Sequence, residues 1–157
     1  MEFPDGPLSA FFFGTRSRSP TDRPEHYRHA NTARSLERVW LASDDAAIVA
    51  MLGRLGARLR PGRACLPRCG QVEMATLAAG EIVLLDRRRQ RVPGRPIVGV
   101  TIGVTSLAAT RRALRAGGVT AVASGRSLFV PPTAANGLWI EFREAGAQAA
   151  SSAASSP

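Results

Sequence analysis

The sequence predicts an α+β fold: two tandem βαβββ units forming a curved, eight-stranded mixed sheet, with the helices outside and a central cup. The first observation is a repeat. "LERVWLASDDAAIVAMLGRLGARL" (36–59) lies over "IVGVTIGVTSLAATRRALRAGGVT" (97–120) without a gap, at an offset of 61 residues. Self-similarity at a fixed offset marks a duplicated structural unit. The second is a match further on, "GEIVLLD" (80–86) over "GLWIEFR" (137–143), at an offset of 57. The third is period-2 alternation, as in Leu138, Ile140 and Phe142 against Trp139, Glu141 and Arg143, which gives a strand two different faces. One such unit cannot bury its sheet alone, whereas two side by side enclose a cavity.

The elements follow in order. Residues 1–35 read as a strand-like segment and an arm. "GPLSAFFFGT" (6–15) looks like the closing strand of a preceding unit, as though the chain were the C-terminal portion of a longer protein or had lost its front half. Three consecutive Phe residues on an uncovered strand invite aggregation, so this segment is expected to pack on the domain or at a homodimer contact. Residues 14–35 are polar, arginine-rich and proline-containing, and read as a linker. The domain spans 36–144, with units 36–91 and 95–144. In the first unit a strand bearing Val39 and Leu41 leads into an amphipathic helix ending at Gly56, followed by strands near 64–68, 70–77 and 80–86. In the second, Val100 and Ile102 match Val39 and Leu41, Gly117 matches Gly56, and strands follow near 119–123, 126–130 and 137–143. Both glycines suit a helix C-terminal cap. The stretch "AGAQAASSAASSP" (145–157) has nothing that could pack and reads as a disordered tail.

Composition bounds the function. The 157 residues carry a formal charge of +9, and all 21 basic residues are Arg. With abundant Ala and Gly, this resembles a coding bias more than a partner's signature. A nucleic-acid binder would cluster its basic residues with interleaved aromatics. The densest run, "DRRRQR" (86–91), has no aromatic and reads as a solvated loop, with phosphate binding the lesser alternative. Nucleic acid is therefore a disfavoured partner. No apolar run reaches the roughly 18 residues of a membrane span, and the N-terminus lacks the basic region of a signal peptide. Cytoplasm is the expected location. Cys65 and Cys69 in "CLPRC" are too few for tetrahedral zinc and read as free thiols, with a redox pair as the weaker alternative. His26 and His29 in "PEHYRHAN" read as surface histidines of a loop. No glycine-rich phosphate loop occurs, and no Ser nucleophile has a recognisable base. No cofactor is expected.

Several stretches carry a resemblance. "LERVWLASDD", "GRPIVGVTIGVTSLAATRRALRAGGV" and "VPPTAANGLWIEF" are similar to the strand–helix openings and the closing Pro-rich loop, Gly and Glu-bearing strand of the vicinal oxygen chelate superfamily, most closely its glyoxalase-like domains. The match covers about 36–144. In metal-dependent members four concave-face positions hold the ion, and the resemblance places them at Arg38, Leu84, Gly99 and Glu141. Only Glu141 is a competent ligand, since a divalent ion needs several oxygen or nitrogen donors. No metal is therefore expected, nor lactoylglutathione lyase or extradiol dioxygenase chemistry.

Alternation then lists the cup residues: Arg38, Trp40 and Ala42; Ile82 and Leu84; Gly99, Thr101 and Gly103; Trp139, Glu141 and Arg143. The candidate ligand-binding residues are Arg38, Trp40, Thr101, Trp139 and Glu141. A buried carboxylate needs a partner, so an Arg38–Glu141 ion pair is expected. Trp40 and Trp139 either fill the cup as core or wall it for a flat or cationic ligand. The reading is a protein that binds a small organic molecule in its cup. One alternative is a lyase or dioxygenase-like enzyme of the same superfamily, using Glu141 as general acid/base or as one ligand of a sparse metal site. Another is an Arg-rich module for nucleic acid or an acidic partner.

Overall fold

The computed structural model describes residues 23–65, 69–78 and 80–144. The 6–15 segment, the arm as far as residue 22 and the 145–157 tail lie outside the described residues. A 3-10 turn at Pro24–Tyr27 occupies the stretch around His26, and His29 beyond it is exposed.

The first unit consists of β1 (Ala33–Ala42), α1 (Ala46–Arg54), β2 (Arg58–Cys65), β3 (Cys69–Leu77) and β4 (Gly80–Leu85). The second consists of β5 (Ile97–Val104), α2 (Leu107–Ala116), β6 (Val122–Ser124), β7 (Ser127–Val130) and β8 (Trp139–Glu144). The eight strands form one mixed sheet in the order β2-β3-β4-β1-β5-β8-β7-β6. Within each unit the opening strand pairs in parallel with the closing one, β1 with β4 and β5 with β8. The units join through the antiparallel pair β1–β5. The sheet is therefore two copies of one arrangement about a central seam.

Local chemistry sets the helix ends. Asp45 caps α1 by accepting from the Ala47 N–H at 2.8 Å, and Ser106 caps α2 by accepting from Ala109 at 3.2 Å. Gly56 follows α1 in the left-handed region (φ +80°); the same conformation after α2 falls on Gly118 (φ +70°), one place beyond Gly117, because α2 is a residue longer. In the first unit the helix stops sooner than its match with the second suggests. β2 then starts at Arg58 instead of near 64. Pro61 lies in β2, the sheet's edge strand, where a missing N–H is tolerated.

Two apolar clusters lie between helices and sheet. Ile48, Met51 and Leu52, spaced along one helical face, pack on Leu41, Ala75 and Leu84. Across the seam Val104, Leu128, Val130 and Phe142 lie under α2 with Ile102, Leu107 and Leu114. Each fully buried aliphatic side chain contributes roughly 1.5–3 kcal/mol of transfer free energy. Leu84 and Ile82 thus belong to the helix side of the sheet, which corrects their expected place in the cup. From β4 the residues that face the cup are Val83, fully buried beside Trp40, and Leu85.

A third cluster fills the concave side. Trp40, Ala42, Ala64, Met74, Val83 and Leu85 from the first unit meet Val98 and Phe129 from the second. Cys65 is disulfide-bonded, which corrects the free thiol expected there, and the β2–β3 register sets the backbone of Cys69 opposite it. Among the described residues no helix is long and apolar enough to cross a membrane.

Candidate functional site

The cup is built on the seam. Between Leu36 and Arg38 the β1–β5 register shifts by one residue, leaving Glu37 as a bulge. Glu37 sets its carboxylate over Gly103, whose Cβ, if present, would lie 2.4 Å from Glu37 Oε1. There Arg143 donates to Glu37 Oε2 from Nη2 at 2.7 Å and from Nε at 3.1 Å. Arg38, the next residue, is itself buried and lines the cavity. Its Nε donates to Glu81 Oε2 at 2.8 Å, and Arg60 holds the other oxygen of Glu81. Burial pushes the Glu81 carboxyl up, but the Arg38 and Arg60 guanidiniums outweigh that and hold it below its ordinary value.

A second network runs from the indole of Trp40. Its Nε1–H donates to Thr101 Oγ1 at 3.0 Å. An indole N–H can only donate, so the Thr101 hydroxyl is free to pass its own proton on. It does so to Glu141 Oε2 at 2.7 Å, and Ser127 Oγ donates to Glu141 Oε1 at 2.7 Å. Trp40 and Thr101 are at most 1% exposed and Glu141 is 8% exposed. Each Glu141 oxygen accepts one hydroxyl proton and keeps lone-pair capacity for another donor.

The expected Arg38–Glu141 ion pair is not what forms. Both residues line one cavity, but Arg38 bonds to Glu81 and Glu141 to two hydroxyls. Glu81 lies directly opposite Arg38 in the parallel β1–β4 register and meets it first. The cavity measures about 230 Å³ and draws its walls from both ends of the sheet. Arg63, Ala64 and Cys65 come from β2, and Ser124 to Ser127 from the β6–β7 hairpin, so the sheet curls until its edge strands share one hollow.

Of the five candidate ligand residues, Arg38, Trp40 and Glu141 line this cavity. Thr101 lies behind the wall as the link between Trp40 and Glu141. Trp139 is half-buried and packs against the concave apolar cluster. Ser127, Arg63 and Arg126 were not singled out from the sequence. Ser127 had a usable signal, since it alternates with Phe129 on β7 and so shares the concave face. The two arginines had none, because one lies before the strand expected near 64–68 and the other on a hairpin tip.

No family model and no curated protein matches the chain. Solved structures do. Methylmalonyl-CoA epimerase from Mycobacterium tuberculosis is 25% identical, with a TM-score of 0.57 over 82% of this chain and 99% of the epimerase. A hypothetical protein from Bacillus halodurans is 23% identical, with a TM-score of 0.52 over 73% of this chain and 96% of its own. Methylmalonyl-CoA epimerase of Streptomyces coelicolor in complex with 2-nitronate-propionyl-CoA is 14% identical, with a TM-score of 0.54 over 73% and 96%. The chain has the glyoxalase-like fold of the vicinal oxygen chelate superfamily.

Within this glyoxalase-like domain the residues do not fit a divalent ion. The β1–β4 and β5–β8 registers set Trp40 beside Val83 and Thr101 beside Glu141, so the counterpart of Glu141 in the first unit is Val83 and not Leu84. The correction adds no donor. Gly99 offers none either, and a Cβ built there would lie 2.3 Å from Trp40 Cε3, so the indole fills the space that a ligating side chain would need. Among the described residues no group of three His, Cys, Asp or Glu side chains could hold a metal ion.

Proposed function

We propose that the protein binds a small organic molecule in its cup, through the 36–144 domain and without a divalent metal. The observation that carries this reading is the orientation of Glu141. Its carboxylate lines the cavity, is fixed by two hydroxyl donors from different strands, and retains acceptor capacity that only a further donor can use. A site held in place by its own hydrogen bonds is suited to recognition. The likeness to epimerase structures, one of them holding a CoA ester analogue, supports a ligand in this hollow. At about 230 Å³ the cavity lies below the ~300–1,000 Å³ of pockets that enclose drug-sized molecules. It suits a small metabolite, or the acyl end of a larger one.

A proton-transfer role for Glu141 is the second reading, favoured by its place at the cavity wall. Inverting a carbon centre removes a proton on one face and returns one on the other. Glu141 is the one carboxyl group on the described wall, and no His lines it. Binding is therefore the reading that the side chains support best.

The test is a thermal-shift screen of small organic molecules against the full chain, with and without chelator. A ligand at one hundred times its Kd should stabilise by about 2.7 kcal/mol through mass action, equally in both buffers, and far less in Glu141→Leu. A hit that appears only with added divalent metal would remove the metal-free part of the reading. We also propose a homodimer, which the mass of the full chain in solution checks. We further propose a cytoplasmic location, against which the Cys65 disulfide weighs, because oxidising compartments favour such bonds; a free Cys65 thiol in protein drawn from cells would support the cytoplasm and an intact disulfide would overturn it.

A further inference from the structure

We infer that the cup selects an organic anion, bearing a carboxylate or a phosphate gripped by Arg63 and Arg126, together with a hydroxyl or amide donor read by Glu141. This rests on the reading of the cup as the binding site, and it adds the chemical class of the ligand.

Among the described residues four arginines line the cavity: Arg38, Arg63, Arg126 and Arg143. Two are matched by carboxylates, Arg38 by Glu81 and Arg143 by Glu37. Arg63 and Arg126 have no acidic partner within 4.0 Å among the described residues, and both are exposed to solvent where an anion would arrive. Among the described residues Glu141 is the one acidic side chain on the wall, so that lining has an excess of positive charge. In a partly enclosed hollow that charge attracts an anion more strongly than it would in open water. Guanidinium groups also match carboxylate and phosphate oxygens in a fork.

The two arginines border the same cavity from opposite edges of the sheet. Arg63 belongs to β2, at one edge of the sheet, where it is paired across from Gln71. Arg126 sits in the tight turn between Ser124 and Ser127 at the other edge, beside Gly125, which takes the left-handed φ of +56° that such a turn requires. An anion held by both arginines joins the two edges of the curled sheet. Glu141 repels a second carboxylate and accepts from a hydroxyl or amide, which sets the polarity of the ligand from one end of the cup to the other.

The test uses the full chain labelled with nitrogen-15 and the indole N–H resonance of Trp40, which reports from the cup because that proton bonds to Thr101. The probes are matched sets of small 2-hydroxycarboxylates, their neutral primary amides, and phosphate monoesters of similar size. Carboxylates or phosphates should move the Trp40 resonance on titration, and the amides should bind at least tenfold more weakly. Arg63→Gln with Arg126→Gln should weaken the anions at least tenfold and leave the unliganded spectrum dispersed. The carboxylate and phosphate arms decide which anion fits. If amides and acids move Trp40 equally, and the double variant binds both as the parent does, the cup reading stands and the anion inference falls. If probes bind without moving Trp40, or none binds, the cup reading falls and takes the inference with it.

Discussion

At equivalent places in the two halves of the sheet, opposite choices have been made. Trp40 corresponds to Thr101, Val83 to Glu141, and Glu81 to Trp139. The first half puts an indole and an isopropyl group into the cup, and the second puts a hydroxyl and a carboxylate there. The halves are also complementary in volume, since the Trp40 ring lies where a side chain at Gly99 would go. A duplicated unit has in this way divided its work. One copy supplies bulk that excludes water, and the other supplies the polar groups whose hydrogen bonds the bulk protects. In low dielectric such bonds are strong and unpaired groups are costly, so each half depends on the other.

The largest effect should come from removing the bulk. Trp40→Ala deletes the most voluminous fully buried side chain and strips Thr101 of its donor. It should cost about 3–5 kcal/mol. Gly99→Ala overpacks the same space and should cost about 1–3 kcal/mol. If the two halves share one volume, the double variant should be less destabilised than the sum, because losing the ring removes the methyl group's clash with Trp40 and leaves only its contact with the Trp139 carbonyl. Urea unfolding of the four proteins measures this, and strict additivity would break the comparison.

The ion pairs come next. Glu81→Ala leaves Arg38, 7% exposed, without its carboxylate, and the penalty for an uncompensated buried charge approaches about 3 kcal/mol. Arg38→Met should cost less, about 1 kcal/mol, because Glu81 keeps Arg60. A double-mutant cycle should show coupling of Arg38 with Glu81 and none of that size with Glu141. Coupling with Glu141 instead would restore the pairing first expected from charge alone.

Smaller still is the relay. Thr101→Val leaves the Trp40 N–H and one Glu141 oxygen without partners and should cost about 1–3 kcal/mol. Thr101→Ser keeps the hydroxyl and should lose under about 1 kcal/mol. Equal losses in the two variants would assign Thr101 a packing role only.

The architecture was legible because its signals are local and repeated: period-2 strands, capped helices and an ungapped match through strand and helix. The face of β4 was misread for a physical reason. Aligning "GEIVLLD" with "GLWIEFR" sets Gly80 on Gly137, yet Gly80 lies within β4 whereas Gly137 (φ +90°) ends a turn before β8 begins at Trp139. The true correspondence of Val83 with Glu141 is one residue out from that alignment, and a one-residue slip exchanges the faces of a strand. The same slip hid Glu81, and with it the real partner of Arg38. Arg63 and Arg126 border one cavity only because the sheet curls until its edges share it, and no pattern along the chain encodes that curl.

The smallest effect concerns pH and belongs to the first half alone, since the counterpart of Glu81 in the second half is Trp139, which does not titrate. In the folded protein burial raises the Glu81 carboxyl, and Arg38 and Arg60 more than offset this, so it titrates below its ordinary 4.5. Around and below pH 4.5 the unfolded chain therefore binds more protons than the native one, and stability rises with pH. The contribution of Glu81 should be complete above that value and vanish as pH falls through the lower folded one. Glu81→Gln cannot lose a proton, so the gap in unfolding free energy between it and the parent should be widest near neutrality and narrow on acidification. The measurement is urea unfolding of both proteins from pH 7 to pH 3. A gap that stays constant over that range would mean that the carboxylate charge of Glu81 does not hold Arg38. The first half of the cup would then owe its stability to Trp40 and Val83 without help from the ion pair at its rim.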